Sequence, residues 1–342
     1  MEVVVMKKIK ILYLPIVFSF LITAVGYAQQ MKNVAQSTMT FLRIDPVARS
    51  AGMGEASTCM DNDVSALFHN PAGIARLKGG ALSLNYNQWL ADMKQYGIAA
   101  AFGHSTLGTF ATSLVLMDNG EIDRTIPDAS EKGFHLEDPF NVNQFAVGIG
   151  YGRQLTDKFS IGGQVKYVYQ DLGPSDIIEI KANVTDTLMN KEYKEGTYAL
   201  DFGTIYYTGF KDLRVAMSFR NFGASVKYAY DYYQLPLVLK VGIAMNVLSV
   251  ISNKEGQSLE MLVETVLSND YFERMNWGWE YSFKDLFYIR AGYRYNYDEG
   301  NFTAGFGFTP TVTNMNLKID YAYVNFGDVF GAVHRVSFGF GL

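Results

Sequence analysis

The residues that could do chemistry are few and scattered. Four histidines, His69, His104, His135 and His334, lack the short spacings that gather imidazoles around a metal. No Ser-His-Asp or Cys-His grouping is readable, and nucleophilic catalysis needs a base within reach of its nucleophile. Gly52-Met53-Gly54 lacks a preceding strand and the rest of a dinucleotide fingerprint, so it reads as turn punctuation. Asp118-Asn119-Gly120 also reads as a turn. Glu131, Glu137 and Asp138 lack calcium-loop spacing and read as solvated charge. Cys59, the single cysteine, has no disulfide partner in the chain and is expected as a small packed residue. A net charge of −5 leaves no basic footprint for nucleic acid. The expectation is a protein that is not an enzyme, with no catalytic, cofactor-binding or metal site.

What the chain does carry is a pattern of strands. Charged residues are only 18% of its 342 residues, while Tyr, Phe and Gly number 23, 24 and 32. That balance suits long pleated strands facing something apolar. Lys7, Lys8 and Lys10 precede an apolar run from Ile11 to Val25, and Gly26-Tyr27-Ala28 supplies a small-x-small cleavage site. This is the three-part export signal. The run is short for a spanning helix and Pro15 interrupts it. Met6 is an alternative start to Met1, and no cysteine follows the cleavage site to carry a lipid anchor. Nothing after residue 28 resembles a spanning helix, so a membrane role requires a closed barrel.

Alternation supports that barrel. Phe159, Ile161, Gly163, Val165, Tyr167 and Tyr169 share one face, opposite Ser160, Gly162, Gln164, Lys166, Val168 and Gln170. Similar runs fall near 80–88, 94–104, 107–117, 142–153, 158–171, 196–208, 212–222, 236–250, 256–268, 274–283, 285–295, 300–309, 314–325 and 332–342. The expectation is an all-β membrane protein, an antiparallel outer-membrane β-barrel of about 14 strands. A soluble sandwich also alternates, but its strands are shorter. The polar face carries Lys166, Arg214, Arg220, Glu260, Glu264, Arg290, Arg294 and Lys318, which are expected to face the lumen. Trp277, Trp279, Tyr281 and Tyr323 are expected near strand ends as an interfacial girdle. Short connections at 105–106, 154–157 and 209–211 alternate with long ones at 118–141, 172–195 and 223–235. This alternation sends both chain ends to the periplasm and the long loops outside. In the last strand Val336, Phe338, Phe340 and Leu342 point outward as a signal for outer-membrane assembly machinery, with Arg335, Ser337, Gly339 and Gly341 inward. An arginine is expected to block assembly at Phe338 and to be tolerated at Ser337, in a wet lumen.

Residues 29–79 do not alternate. Pro46, Gly52, Gly54, Asn70-Pro71, Ala72 and Gly73 punctuate helix-like stretches at Val47–Ala51 and Val64–Phe68, with Asp61 to Asp63 available as a cap. Too small for its own core, this segment is expected as a hatch plugging the lumen. The organisation is then a signal peptide over 1–28, a hatch over 29–79 and a barrel over 80–342.

Phe41-Leu42-Arg43-Ile44, Ala48 to Ala56 and Asp63 to Ala75 resemble the start of PorV/PorQ-family outer-membrane proteins, and His334 to Phe340 resembles their ending. Asn70-Pro71-Ala72-Gly73 also resembles the hatch of FadL-type fatty-acid channels. The match covers roughly residues 38–104 and the last ten. It implies a FadL-like barrel in a Gram-negative, Bacteroidota-type outer membrane, associated with type IX secretion. Its partners would be outer-membrane lipids, secretion components and the C-terminal signal domains of secreted cargo. PorV proteins tend to follow Asn-Pro-Ala with Lys where this chain has Gly73, which points to another cargo or role. Two functions stay open: an interaction protein using its outer loops, and a channel for hydrophobic molecules such as fatty acids and aromatics. The second would pass them around the hatch and out through the wall, with room left by glycines on the inner faces.

Overall fold

Alternation becomes pleated strand at all fourteen places where the sequence shows it. The computed structural model describes residues 36–127, 131–179, 187–228, 231–251, 255–312 and 315–341. The export signal expected over residues 1–28, and Leu342, lie outside them. The strands are β1 Gly79–Gln88, β2 Lys94–His104, β3 Gly108–Pro127, β4 Phe134–Thr156, β5 Phe159–Glu179, β6 Thr187–Tyr207 and β7 Arg214–Gly223. They continue as β8 Val238–Asn246, β9 Gln257–Ser268, β10 Arg274–Phe283, β11 Phe287–Tyr295, β12 Phe302–Phe308, β13 Met315–Asn325 and β14 Ala332–Gly341. Each pairs antiparallel with its sequence neighbours, and β1 pairs with β14 from Ala81↔Gly341 to Gln88↔His334. The sheet therefore closes, leaving no edge exposed to hydrocarbon. No helix among the described residues is long and apolar enough to cross a membrane.

The two faces separate as their residue types require. Ser160, Gly162, Gln164, Lys166, Val168 and Gln170 of β5 are buried, while Val165 points outward at 52% exposure. In β14, Arg335 and Ser337 are buried, while Phe338 and Phe340 lie exposed on the outer face. Trp277 and Trp279 fall mid-strand in β10 rather than at its end, their rings 6.5 Å apart. Those two therefore supply apolar surface at mid-height. The rim at the far end of β13 holds Tyr323 against His334, with ring centroids 5.7 Å apart.

One expectation about the connections needs correction. Most of 118–141 and 172–195 is strand, not loop. The β3–β4 ladder runs on to Pro127↔Phe134 and the β5–β6 ladder to Glu179↔Thr187. Pairing between β4 and β5 stops at Asn143↔Asp171, so the two hairpins rise past the wall as separate ribbons. The connection over 223–235 contains a small hairpin, Val226–Tyr228 against Asp231–Tyr233.

The segment before β1 follows its own path. β14 ends at the short-turn mouth and β1 begins there, as the strand count requires. From Gly79 back towards Gln36, however, the chain climbs through the lumen to the opposite mouth. There Ser37 forms a parallel bridge with Gln234, and the Thr38 N–H donates to Gln234 O at 3.0 Å. Thr38 Oγ1 also bonds Gln170 Oε1 at 3.0 Å. Gln234 belongs to the connection between β7 and β8, on the long-hairpin side. The first described residues thus sit at the mouth of the long hairpins, and the chain's start, expected in the periplasm, lies outside the described residues. The segment passes through a 3₁₀ turn at Thr40–Arg43, a short helix α1 at Ala48–Gly52, and 3₁₀ turns at Val64–Phe68 and Pro71–Ile74.

Candidate functional site

Residues 36–78 and the inner faces of the strands form one packed unit, and this luminal contact is the candidate site. Asp63 caps the Val64–Phe68 turn, its side chain accepting from Ser65 N. Asn70 starts the next turn by accepting from Ala72 N at 3.0 Å, while its amide donates to Thr58 O at 2.8 Å and Thr204 O at 3.2 Å. The Asn70 side chain therefore ties two hatch turns to the wall at β6.

The glycines of the hatch motif serve close approach. A Cβ on Gly52 would stand 3.0 Å from the Gly305 backbone, and Gly54 has φ +66° with Trp277 O 3.0 Å from its Cβ position. Gly73 faces Met60 O and Ala66. Wall glycines answer them. A methyl on Gly162 would overlap Pro71, and one on Gly203 would overlap Asn70 Oδ1. Gly162 and Gly203 therefore make room for the hatch itself. Pro71 and Ala72 are buried in the same contact.

The luminal polar residues make paired, buried contacts. Lys318 Nζ meets Asp63 at 2.7 Å. Glu264 accepts from Ser57 N and Thr58 N, each at 2.9 Å, and from Lys240 at 2.7 Å. Arg214 pairs with Glu260 and donates to Cys59 O at 2.7 Å. Arg294 reaches Glu55 at 3.0 Å, Arg220 donates to Leu42 O at 3.3 Å, and Lys166 pairs with Asp201 at 2.8 Å. Arg290 bridges Glu280 at 2.5 Å and Asp320 at 2.6 Å. The expected lumen set thus occurs in one interior, but as anchors of the hatch more than as a water-lined wall. Ser337 is a related correction. Its hydroxyl accepts the Ala48 N–H at 2.9 Å, so this position holds the hatch as well as lining the cavity at the short-turn mouth.

Arg49 and Glu280 are the residues the sequence reading passed over. Arg49 Nε and Nη2 donate to Glu280 at 2.9 and 2.7 Å, a two-pronged pair between α1 and β10. Such forks are the strong form of carboxylate recognition. A signal for Glu280 existed: Trp277, Trp279 and Tyr281 point outward, which turns Glu280 and Asn276 inward.

Burial and charge set the hatch's titrating groups. Burial alone would raise the Asp63 carboxyl, but Lys318 and Arg49 outweigh it and hold it below the usual range. Burial, with Arg220 and Lys240 near, holds the His69 imidazole well below its ordinary value. Burial pushes Asp45, 3.5 Å from His69, upward, against Arg335 and Ser50. Burial also pushes up the Cys59 thiol, an inert state for a cysteine. Among the described residues no group of three His, Cys, Asp or Glu is placed to hold a metal.

Two regions flank this network. Towards the outer mouth, Met39, Phe41, Leu42, Met117, Val168 and Leu235 belong to an apolar cluster. At the short-turn mouth a cavity of about 1260 Å³ lies against the hatch, its lining including Asp61, Asp63, Arg76, Lys78, Lys284 and Lys318. An apolar cluster thus lies towards the mouth of the long hairpins, and a cavity with several charged lining residues lies towards the mouth of the short turns.

No known family model matches the chain, and no curated protein matches it in sequence. Solved structures do match in fold. The Ralstonia pickettii toluene transporter TbuX aligns at TM-score 0.54 and 12% identity, over 87% of this chain and 97% of that one. The Pseudomonas putida toluene transporter TodX aligns at TM-score 0.54 and 11% identity, over 85% and 95%. The CymD monoaromatic hydrocarbon channel aligns at 0.52 and 11%, over 87% and 96%. By fold, the chain is a closed fourteen-strand antiparallel β-barrel with a hatch inside it, similar in architecture to these channels.

Proposed function

We propose that this barrel carries small hydrophobic molecules across the outer membrane, with the hatch controlling passage. The observation that carries the reading is the polarity of the interior. An apolar cluster at the outer mouth offers a place for a hydrophobic molecule to leave water, and the ion-paired hatch stands between it and the inner cavity. The likeness of fold to toluene transporters supports the same substrate class. An exit through the wall would suit the bulge where the β6–β7 register shifts between Leu200 and Phe202. Asp201 there is held by Lys166, and its carboxylate accepts Asn221 N at 2.8 Å. Uptake of labelled toluene and of a long-chain fatty acid by a deletion strain, with and without the restored gene, tests the reading. Restoration should raise the rate for at least one of them, and equal rates for both would refute it.

A second reading rests on the two ribbons that rise separately beyond Asn143↔Asp171. Glu121, Asp123, Glu137 and Asp138 are exposed on the first of them. These ribbons, with the PorV/PorQ-like motifs, support docking of secreted cargo or type IX secretion components in a Bacteroidota-type envelope. Affinity capture of the tagged barrel from native membranes should then recover such proteins, and recovery unchanged by removal of both ribbons would count against it.

A further inference from the structure

The outer half of the lumen holds a further charge cluster between hatch and wall. Arg335 projects inward from β14 and Arg294 from β11, their side chains 0% and 5% exposed. Both converge on one oxygen, Glu55 Oε1. Arg294 Nη1 donates to it at 3.0 Å, while Arg335 Nη2 stands 3.5 Å away, an ion pair without a hydrogen bond. Two guanidinium groups therefore share one oxygen of Glu55. Asp45 is the other carboxylate facing Arg335, but it accepts from Val47 N at 2.9 Å and Ser50 Oγ at 2.5 Å and faces His69.

Among the described residues, Arg335 Nε, Nη1 and Nη2 all lack a hydrogen-bond acceptor, and so does Arg294 Nε. Buried donors are nearly always satisfied, because leaving one bare forfeits its whole hydration. Arg335 Nε and Nη1, two donors of one fully buried guanidinium with no acceptor, therefore call for a partner. An aromatic roof covers the place from the outer mouth. The Trp89 ring lies 5.5 Å from the Arg335 guanidinium carbon and packs edge-on against Phe326, which also covers Arg294 at 5.4 Å. Screened from water, the Arg335 charge acts more strongly than it would at a surface.

We propose that Arg335 and Arg294 hold a small monovalent anion, the size of chloride, bromide or formate, beneath the Trp89–Phe326 roof. The guanidinium donors without acceptors set the sign of the partner's charge, and their burial beneath the roof favours a small ion. The site does not depend on whether the barrel transports hydrophobic molecules.

The full-length barrel in detergent is titrated with sodium bromide against sodium gluconate at fixed ionic strength, following tryptophan fluorescence and unfolding temperature. Crystals grown in bromide are measured at the bromine absorption edge. A saturable bromide response is expected, with an anomalous peak within hydrogen-bond distance of Arg335. Arg335→Gln should weaken the apparent bromide affinity about tenfold or more, the scale of a hydrogen bond to a charged group. If that variant does not assemble, the anomalous map of the unaltered protein decides alone. Density at Arg335 without anomalous signal, meaning water only, or a response that gluconate reproduces, would overturn the proposal.

Discussion

Removing the Glu280 carboxylate should loosen the hatch more than any other single change of charge near α1. Glu280 accepts three charge-assisted bonds, from Arg49 Nε at 2.9 Å, Arg49 Nη2 at 2.7 Å and Arg290 Nε at 2.5 Å. Glu280→Gln keeps the shape and removes the charge. Arg290 retains Asp320 at 2.6 Å, and Arg49 retains Asp63 at 3.2 Å. Breaking a buried pair from one side costs about 3–5 kcal/mol. The surviving partners and the 15% exposure of Arg49 place this case at the low end, about 3 kcal/mol. Arg49→Ala should cost less, because Glu280 keeps Arg290. In a double-mutant cycle the two should couple by about 1.5–3 kcal/mol, the worth of hydrogen bonds between charged groups. Hydrogen exchange of the amides of Ala51 and Met53 reads the loosening directly, and single-channel conductance reads its effect on passage. Coupling below about 0.5 kcal/mol, the ordinary error of additivity, would refute the idea that this fork holds α1 to the wall.

Gly203→Ala should undock the hatch without altering any charge, since its methyl would overlap Asn70 Oδ1. Faster exchange at Ala72 N–H, which that oxygen accepts, is the readout. Phe338→Arg should cost about 2–4 kcal/mol of assembly stability on the lipid face, measured by folding into bilayers. Ser337→Arg should fold the barrel but displace Ala48, so increased hatch exchange with normal heat-modifiability is expected there. Neutral His69 contributes stability above its unfolded value of 6.5, and this is lost as pH falls towards its depressed folded value. Asp45 has the opposite sign, stabilising below 3.8 and losing that contribution as pH rises through its raised value. The hatch should therefore loosen as pH falls from 6.5, by up to about 1.4 kcal/mol per unit, and His69→Gln should flatten that slope; equal slopes in urea titrations at several pH values would refute it.

Strand positions were legible because hydrocarbon on one side and packed polar groups on the other impose opposite residue types at a period of two. Where that contrast ends, legibility ends. Between Asp118 and Pro127 polar and charged residues mingle with Ile122 and Ile126 without regular alternation, so the ribbon looked like loop although its ladder continues. The inward phase likewise exposed Arg214 with its partner Glu260, and Arg290 and Arg294 without theirs, Glu280, Asp320 and Glu55. Arg49 and Glu280 are 231 residues apart, and no local pattern couples them.

Glycine shows a subtler loss. An inward glycine is written identically whether it leaves space or receives another backbone, so Gly203 suggested room until Asn70 was seen to fill it. The hatch's path was hidden for a related reason. Counting strands fixes the mouth at which β1 begins but says nothing about a segment passing through the lumen before it. The route from Gln36 to Gly79 depends on contacts made across the barrel, such as Thr38 with Gln170 and Ala48 with Ser337. Those contacts require the wall to surround the hatch. A closed ring with ion pairs spanning its interior is most simply reached by a sheet that curls around an already placed segment.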